Sequence, residues 1–128
     1  MAGSKQICIL VVEDNSTMRR IVRNLLQQLG FNNVHEAIDG TDALKKLAEK
    51  PTQLIISDWN MAPMTGLDLL KAVRGDAQFK SIPFIMVTAE SKPENIIAAK
   101  QHGVSNYIIK PFSADTLKTK MTAVLGAF

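Results

Sequence analysis

Residues 7–30 read ICILVVEDNSTMRRIVRNLLQQLG and contain the structural unit that the rest of the chain repeats. The stretch begins with a continuous apolar run at 7–12 that is rich in β-branched residues, as expected of a strand buried on both faces. After two acids, apolar residues recur at the spacing of one helix face, and Gly30 provides a C-terminal stop. A buried strand followed by an amphipathic helix is the building unit of a parallel sheet covered by helices.

The alternation of buried strand and amphipathic helix continues along the whole chain. Further strand-like apolar runs lie at residues 33–37, 54–57, 83–87 and 106–109. Helical patterns lie at residues 41–50, 66–74 and 114–125, and a segment that is apolar on several sides, ENIIAAKQHG, lies at 94–103. Strands that alternate with helices predict right-handed crossovers and a parallel sheet with helices on both faces. We therefore expect a single α/β domain that spans residues 1–128.

The composition restricts the class of protein. Fifteen Lys and Arg against twelve Asp and Glu leave a net charge of +3, which is a small excess. The densest basic segment, MRRIVR at 18–23, has Arg19, Arg20 and Arg23 on the polar side of a helix, which predicts a solvated face and not a nucleic-acid-binding patch. The single cysteine, Cys8, excludes an internal disulfide. No segment is long and apolar enough for membrane insertion, and a lone cysteine fits a reducing compartment, so we expect a cytoplasmic protein. We also expect it to be monomeric.

Polar side chains follow the predicted strands at the point where each strand ends. Glu13 and Asp14 follow the first strand, Asp58 ends the third, Thr88 follows the fourth and Lys110 the fifth. The carboxyl ends of parallel strands lie at one edge of the sheet, where open α/β folds bind ligands. Each residue alone also has a purely structural interpretation: Asp14 could help to cap the next helix, and Lys110 could be a surface lysine. Their convergence favours a functional site.

The three acids of this group imply a bound cation. Carboxylates at close range repel one another and raise each other's pKa unless positive charge lies between them. Lys110 supplies one positive charge, and a divalent ion would supply the rest. His35 and His102 lie in separate segments and are interpreted as surface residues, so the ligands are oxygens without clustered His or Cys, which favours Mg²⁺. We therefore expect a Mg²⁺ site and no transition-metal chemistry.

Several short motifs occur in the same order as in one known family. They are STMRRIVRNLL, LGFNNV, SDWNM, MVTAE, ENIIAA and KPF. With these motifs the chain resembles, over its whole length, the receiver domains of bacterial two-component response regulators, and among them the single-domain chemotaxis regulators. The resemblance implies a flavodoxin-like (βα)5 fold, a parallel sheet in the strand order 2-1-3-4-5 and no output domain.

The resemblance implies phosphoryl chemistry for the residues that end the third, fourth and fifth strands. Asp58 would be the phosphoacceptor, whose carboxylate attacks a phosphoryl group and becomes an acyl phosphate. Lys110 would bind one phosphoryl oxygen and Thr88 would hydrogen-bond another, so that both share the charge of the transition state with the metal. Ala89, a small residue beside Thr88, would leave the site open.

The resemblance also implies the Mg²⁺ ligands. Asp14 would bind the ion directly together with Asp58, Glu13 would act through water, and Asn60 would contribute its backbone carbonyl. Asn60 and Glu90, which tune self-dephosphorylation in the family, are of the chemotaxis type and imply a short-lived phosphate. The protein would catalyse only its own phosphorylation and dephosphorylation, so we do not expect an enzyme that acts on a separate substrate.

The resemblance further implies how a phosphate at Asp58 is sensed. In the family, phosphorylation moves Thr88 toward the phosphate and turns an aromatic at the position of Tyr107 inward. From the residues alone, Tyr107 is interpreted as a half-buried strand residue, and only the resemblance favours a switching role. The implied partners are a chemotaxis-type histidine kinase, the flagellar motor switch protein and a phosphatase. The residues expected on the target-binding face are Lys92, Ile96, Ala99, Tyr107 and Lys120.

Other functions are compatible with parts of the sequence. A single-domain receiver could act as a phosphate sink, or as an adaptor in a different signalling pathway. A phosphohydrolase with an Asp nucleophile would have a second acid two residues after Asp58, but that residue is Asn60. A flavin-binding protein would need a phosphate-cradling loop after the first strand, where EDNST at 13–17 instead presents two carboxylates.

The loop after the third strand departs from the family pattern. Family sequences usually read Met-Pro-x-Met-Asp-Gly, whereas residues 61–66 read MAPMTG. Ala62 stands in place of the proline, Pro63 comes one position later and Thr65 replaces the acid. Because a proline fixes its own φ and restrains the residue before it, we expect an altered loop geometry. Trp59, just before this loop, is expected to be a partly exposed packing residue whose fluorescence reports on the site.

Overall fold

The computed structural model describes residues 6–89 and 92–126. Strands and helices alternate throughout this part of the chain, as the sequence predicts. The strands are β1 (Ile9–Val12), β2 (Val34–Ala37), β3 (Leu54–Asp58), β4 (Phe84–Thr88) and β5 (Asn106–Ile109). The helices are α1 (Ser16–Gln28), α2 (Gly40–Glu49), α3 (Gly66–Gly75), α4 (Pro93–Gln101) and α5 (Ala114–Leu125).

The strands of the described residues pair in parallel and lie in the order β2-β1-β3-β4-β5. The prediction of a flavodoxin-like sheet in the order 2-1-3-4-5 is therefore confirmed. From β1 the chain first moves outward to β2 and then crosses back to β3 on the other side of β1. The direction of winding thus reverses between β1 and β3, and open α/β sheets form ligand sites beyond the carboxyl ends of such strands.

Successive strand residues pack on opposite faces of the sheet, which gives the molecule two apolar cores. Leu10 and Val12 of β1 face the core that α2, α3 and α4 cover, whereas Ile9 and Val11 face the core that α1 and α5 cover. Because helices cover both faces, each strand needs apolar residues at consecutive positions. This explains why the apolar runs in the sequence are continuous and do not alternate with polar residues.

The start and end of α1 follow local sequence signals. Asn15 is the N-cap, and its side-chain Oδ1 accepts a hydrogen bond from the N–H of Met18 at 2.9 Å. At the other end Gly30 has a φ of 97°, a conformation that favours glycine. Since the cap is Asn15, Asp14 does not have the capping role that was its structural interpretation.

Element bounds differ from the predicted ones by a residue or two. The apolar run at 7–12 predicts a longer β1, but the strand begins at Ile9. The second helix begins at Gly40 instead of residue 41, and α5 spans the predicted residues 114–125. No helix in the described part of the chain has the length and apolar character needed to cross a membrane.

Candidate functional site

Three carboxylates meet at the carboxyl end of the sheet. Glu13 follows β1 directly, Asp14 comes next, and Asp58 is the last residue of β3. Each of them has a carboxylate oxygen within 4.8 Å of an oxygen of the other two. Glu13 and Asp58 are only 4 % and 6 % exposed, whereas Asp14 is exposed. The structure thus brings together the three acids that the sequence predicts at this edge.

Backbone hydrogen bonds from neighbouring strands hold the two buried acids. The N–H of Glu13 donates to the carbonyl of Ala37 at 3.0 Å, and the N–H of Trp59 donates to the carbonyl of Val87 at 3.1 Å. These bonds extend the pairing of β1 with β2 and of β3 with β4 past the strand ends. The carboxylates of Glu13 and Asp58 therefore project from rigid positions.

Lys110 provides the positive charge of the site. Its backbone N–H donates to the carbonyl of Thr88 at 2.8 Å, which holds the end of β5 against β4. Its ammonium donates a hydrogen bond to Oε1 of Glu13 at 2.9 Å and lies 3.0 Å from Oδ1 of Asp58. The contact between the ammonium and Asp58 has the distance of an ion pair but not the angle of a hydrogen bond. Within the described residues, no group donates a hydrogen bond to this buried oxygen of Asp58.

The charges of the site shift two pKa values. Burial raises the pKa of Glu13 above its usual 4.5; Lys110 and the N–H of Asn15 oppose this effect, and the neighbouring Asp14 and Asp58 add to it. Burial lowers the pKa of Lys110, but its hydrogen bond to Glu13 and its ion pair with Asp58 outweigh burial, and the pKa is raised above 10.5. Lys110 therefore stays cationic at neutral pH. One ammonium faces three acids, so the site attracts a further cation.

The acidic group can hold a hard divalent cation. Its ligand atoms are carboxylate oxygens, which Mg²⁺ and Ca²⁺ prefer. A metal ion would also give the buried oxygen of Asp58 the partner that hydrogen bonding does not supply. In residues 6–89 and 92–126 this is the only group of three or more His, Cys, Asp and Glu side chains with ligand atoms this close. His102 is exposed as expected, and His35 is half-buried beside Asn33.

The altered loop after β3 starts α3 through Thr65. The hydroxyl of Thr65 accepts a hydrogen bond from the N–H of Asp68 at 3.1 Å, and the Asp68 carboxylate accepts one from the N–H of Thr65 at 3.4 Å. This capping box satisfies the helix start. The N–H of Gly66 donates to the carbonyl of Trp59 at 2.8 Å and closes the loop onto the end of β3. Thr65 thus provides the side-chain oxygen that an acid would provide in the usual pattern.

The other predicted site residues surround the acids. Asn60 and Ala89 are exposed in the segments that follow β3 and β4, and Thr88 is fully buried at the end of β4. Trp59 is half-buried against the core under α2, α3 and α4, which confirms its predicted packing role. The ring centroid of Trp59 lies 6.4 Å from that of Tyr107, with an angle of 66° between the planes. An edge-on aromatic contact therefore links the segment after Asp58 to β5.

Residues 9–122 match the family described as the response regulator receiver domain. The chain belongs to this family. It is 52 % identical over 121 residues to chemotaxis protein CheY-3 of Vibrio cholerae, which covers 94 % of this chain and 93 % of the relative. It is 53 % identical over 116 residues to chemotaxis protein CheY of Pseudomonas aeruginosa, in an alignment that covers 91 % of this chain and 94 % of the relative. The solved structure of chemotaxis response regulator CheY4 of Vibrio cholerae matches it with a TM-score of 0.86 at 38 % identity, covering 94 % of this chain and 99 % of the other.

The predicted target-binding face of the receiver domain needs correction at two residues, Ala99 and Tyr107, which are both buried. Ala99 is fully buried in the core beneath α4, so its prediction as an interface residue is wrong. Ile97 is 54 % exposed and is an apolar side chain that α4 presents to solvent. Lys92 is exposed as expected, and Ile96 is partly buried against the core. The error arose because apolar residues occupy several sides of this helix.

The remaining signalling predictions concern Tyr107, Lys120 and Glu90. Tyr107 is buried on β5, so it forms part of the core and not of the exposed face. Lys120 is half-buried on α5, and its carbonyl accepts a side-chain hydrogen bond from β5 at 3.3 Å. Glu90 lies outside the described residues. Ile97 of α4 and Ile109 of β5 are large apolar side chains that are exposed.

Arg19 is a residue near the site whose environment the sequence pattern did not indicate. The pattern predicts a solvated side chain, but Arg19 is only 17 % exposed and donates hydrogen bonds to the carbonyl of Glu13 and to the carboxylate of Glu36. Arg23 also pairs with Glu36, while Arg20 is exposed. The Arg23 side chain remains 41 % exposed, so the prediction of a solvated face holds for Arg20 and Arg23 but not for Arg19. An acid within a predicted strand, here Glu36, is the signal that could have indicated a cationic partner.

Proposed function

We propose that this receiver domain is a phosphorylation switch of the chemotaxis type, in which Asp58 accepts a phosphoryl group from a phosphohistidine of a histidine kinase. The observation that carries the proposal is the environment of Asp58. Its carboxylate is buried at a strand end, lies 3.0 Å from the Lys110 ammonium and has two further acids within 4.8 Å. A carboxylate that only capped a helix or closed a turn would need none of these neighbours.

The proposed transfer forms one bond and breaks one. A carboxylate oxygen of Asp58 attacks phosphorus, so an O–P bond forms while the N–P bond of the phosphohistidine breaks. The electron pair of the broken bond stays on the ring nitrogen, which takes a proton and leaves as histidine. In the return step water attacks phosphorus, the O–P bond breaks, and inorganic phosphate leaves the restored carboxylate. The chain changes only itself, so we do not propose an enzyme with a separate substrate.

Mg²⁺ is the cation we propose for the acidic group. Asp14 and Asp58 would hold it directly, Glu13 through water, and Asn60 through its backbone carbonyl. When bound, Mg²⁺ neutralises part of the charge on the phosphoryl oxygens. The exposed carboxylate of Asp14 makes the group accessible from solvent, while the rigid backbone of Glu13 and Asp58 keeps the two buried acids in place.

Lys110 and Thr88 would bind the phosphoryl group once it is on Asp58. Lys110 already lies beside Asp58 Oδ1, so its ammonium needs only a small movement to pair with a phosphoryl oxygen. Thr88 ends the strand next to β3, and its hydroxyl would hydrogen-bond a second oxygen. The phosphoryl group adds about −1.5 to −2 charge at this point. That charge would draw Thr88 toward the site and change the packing around Tyr107 on the adjacent strand.

The proposed output is a binding event on the face formed by α4, β5 and α5. This face presents apolar surface at Ile97 and Ile109 and positive charge at Lys92, which suits an amphipathic acidic peptide. The relatives are named chemotaxis proteins, and this supports the flagellar motor switch protein as the target. We propose that the domain acts alone in the cytoplasm, loaded by a chemotaxis histidine kinase and cleared by its own hydrolysis and by a phosphatase.

Intact-mass measurement after incubation with acetyl phosphate tests the phosphorylation. We expect one phosphoryl adduct that requires Mg²⁺, because the acids must be neutralised before an anionic donor can approach. The adduct should be absent from the Asp58→Asn variant, which keeps the shape of the side chain but lacks the nucleophile. No adduct on the wild-type protein, with donor and metal proven on another receiver domain, would rule out the proposed chemistry.

Peptide binding tests the proposed target. The protein, with and without acetyl phosphate and Mg²⁺, is titrated with a peptide from the flagellar motor switch protein. We expect phosphorylation to tighten binding by about tenfold or more, a coupling free energy in the usual range, and Ile97→Ser to abolish the gain. Equal affinity of the two forms would contradict a motor function and would favour a phosphate sink or an adaptor of another pathway.

A further inference from the structure

The guanidinium of Arg19 joins the acidic group to the edge of the sheet. Its Nη1 donates to the backbone carbonyl of Glu13 at 2.8 Å, and its Nε donates to Oε1 of Glu36 at 2.9 Å. The side chain is 17 % exposed, so these bonds are largely shielded from water. A charged donor that is held on two sides makes strong and well-directed hydrogen bonds.

Glu36 holds the other end of this connection. It lies on β2, and its second carboxylate oxygen accepts a hydrogen bond from Nη1 of Arg23 at 2.6 Å. The backbone carbonyl of Glu36 accepts a further bond from Lys46 at 2.7 Å. Strand pairing and the bond from Lys46 of α2 hold the backbone of Glu36, so Arg19 is bound to a residue whose backbone is fixed without Arg23.

Glu13 is held at each of its polar atoms. Its N–H donates to Ala37, one carboxylate oxygen accepts from Lys110, and the other accepts from the N–H of Asn15 at 3.2 Å. The carbonyl, which accepts from Arg19, belongs to the peptide group that joins Glu13 to Asp14. Rotation of this peptide group would move the exposed Asp14 away from Asp58, so the bond from Arg19 fixes the spacing between these acids.

We propose that Arg19 is a positioning residue for the metal site: by holding the Glu13 carbonyl it keeps Asp14 within reach of Asp58 and thereby raises the affinity for Mg²⁺. The inference rests on the proposed function, because it takes the acidic group to be a Mg²⁺ site. Arg19 does not itself contact the ion. It acts through the backbone of the two acids, in the way that residues behind metal ligands commonly set metal affinity.

Arg23 offers a matched control for Arg19. It lies on the same helix and pairs with the same carboxylate, but within the described residues Glu36 is its hydrogen-bond partner, and it has no bond to Glu13. If the pairing with Glu36 served only to attach α1 to β2, removal of either arginine would have similar consequences. The proposal requires that only Arg19 affects the metal site.

The test is a Mg²⁺ titration of the full chain, followed by the fluorescence of its single tryptophan, Trp59, and by calorimetry in parallel. Arg19→Ala should weaken Mg²⁺ binding by about tenfold or more, whereas Arg23→Ala should change it by less than about twofold. Arg19→Lys should recover part of the loss, because an ammonium can reach one of the two acceptors but not both in the guanidinium geometry. Thermal unfolding without Mg²⁺ confirms that each variant is folded.

Two results would overturn the proposal. Unchanged Mg²⁺ affinity of Arg19→Ala, or an equal loss in Arg23→Ala, would mean that Arg19 only attaches α1 to β2. A wild-type protein that gives no signal in either the fluorescence or the calorimetric titration would remove the Mg²⁺ site itself, and the metal dependence of the proposed function with it. The wild-type titration distinguishes these cases: a wild-type protein that binds Mg²⁺ leaves the proposed function intact even if Arg19→Ala binds equally well.

Discussion

Asp58 and Glu13 are two buried carboxylates that share one ammonium group. Burial of charged groups costs several kcal/mol per ion unless partners compensate, and Lys110 compensates only in part, since one oxygen of Asp58 has no hydrogen-bond donor in the described residues. A side chain selected for stability alone would not be a carboxylate here. The local excess of negative charge is the physical reason why these residues can hold a cation.

In the loop after β3, at residues 61–66, Gly66 is the position where substitution has the clearest predicted cost in stability. A Cβ at this position would overlap the carbonyl of Asp58 and lie 2.9 Å from both Cα of Trp59 and Sδ of Met86. Gly66→Ala should therefore destabilise the protein by about 2 kcal/mol or more, since rigid backbone must shift. Urea unfolding followed by circular dichroism measures the change.

Gly75, at the other end of α3, is the control for this prediction. A Cβ there has no neighbour within 4 Å, so Gly75→Ala should be neutral or stabilise the protein by about 0.5 kcal/mol through helix propensity. Equal stability of Gly66→Ala and the wild-type protein would show that the backbone after β3 is not held where the structure has it.

The residues of the site differed in how well the sequence could predict them. The acids, Thr88 and Lys110 end their strands, and parallel strands gather such residues at one edge whatever the detailed packing. Arg19 could not be predicted in the same way, because its contact with Glu36 depends on how α1 lies against β2. Apolar residues lie on several sides of α4, so the sequence pattern does not show that Ala99 faces the core.

At the scale of elements, Glu36 and Arg74 join parts of the fold that are distant in sequence. Arg74, near the end of α3, donates to the carbonyls of Lys80 and Ile82 before β4 and to the carbonyl of Gly103 before β5. Burial lowers its pKa. A single guanidinium therefore fixes the entries of two adjacent strands, at the opposite end of the sheet from the acids.

The ion pairs of Glu36 should make the stability of the fold depend on pH. Partial burial by itself raises the pKa of Glu36, but the bonds from Arg23 and Arg19 outweigh it, and the pKa lies below the usual 4.5. The stabilisation is therefore fully present above pH 4.5 and is lost as the pH falls through the lowered pKa. In metal-free buffer, Glu36→Gln should cost about 1 kcal/mol at pH 7 and progressively less toward pH 3.

Urea unfolding of both proteins across this pH range measures the difference. The exposed Glu49, which has no ion pair in the part of the chain that the structure describes, serves as control through Glu49→Gln. A difference between Glu36→Gln and the wild-type protein that stays constant from pH 7 to pH 3 would contradict the ionic origin of the stabilisation.

The elements themselves could be predicted because each physical signal is local. Continuous apolar runs indicate buried strands, and the start and end of each helix depend on residues such as Asn15, Gly30 and Thr65. The exact first residue of β1 could not be predicted, since the apolar residues Ile7 and Cys8 precede its first paired position, Ile9. The start of β1 is decided by its pairing with β2 and β3, and these strands are distant from β1 in the sequence.

At the scale of the whole molecule, the alternation of strands and helices predicts a parallel sheet covered on both faces, and the structure has it. The strand order came from the family resemblance and not from the alternation, because several orders satisfy the same helix packing. The order matters for function, since it puts β1 and β3 side by side and so brings Glu13, Asp14 and Asp58 together. Lys110 joins them from β5, beyond β4.

The most direct test of phosphorylation at Asp58 is to identify which residue carries the phosphoryl group. The protein is incubated with acetyl phosphate and Mg²⁺, reduced with borohydride and mapped by peptide mass spectrometry. Borohydride reduces an acyl phosphate to an alcohol, so a phosphorylated aspartate is converted to homoserine while free carboxylates are untouched. We expect conversion at Asp58 alone. Conversion at Glu13 or Asp14, or no conversion in a sample whose intact mass carries the phosphoryl group, would contradict it.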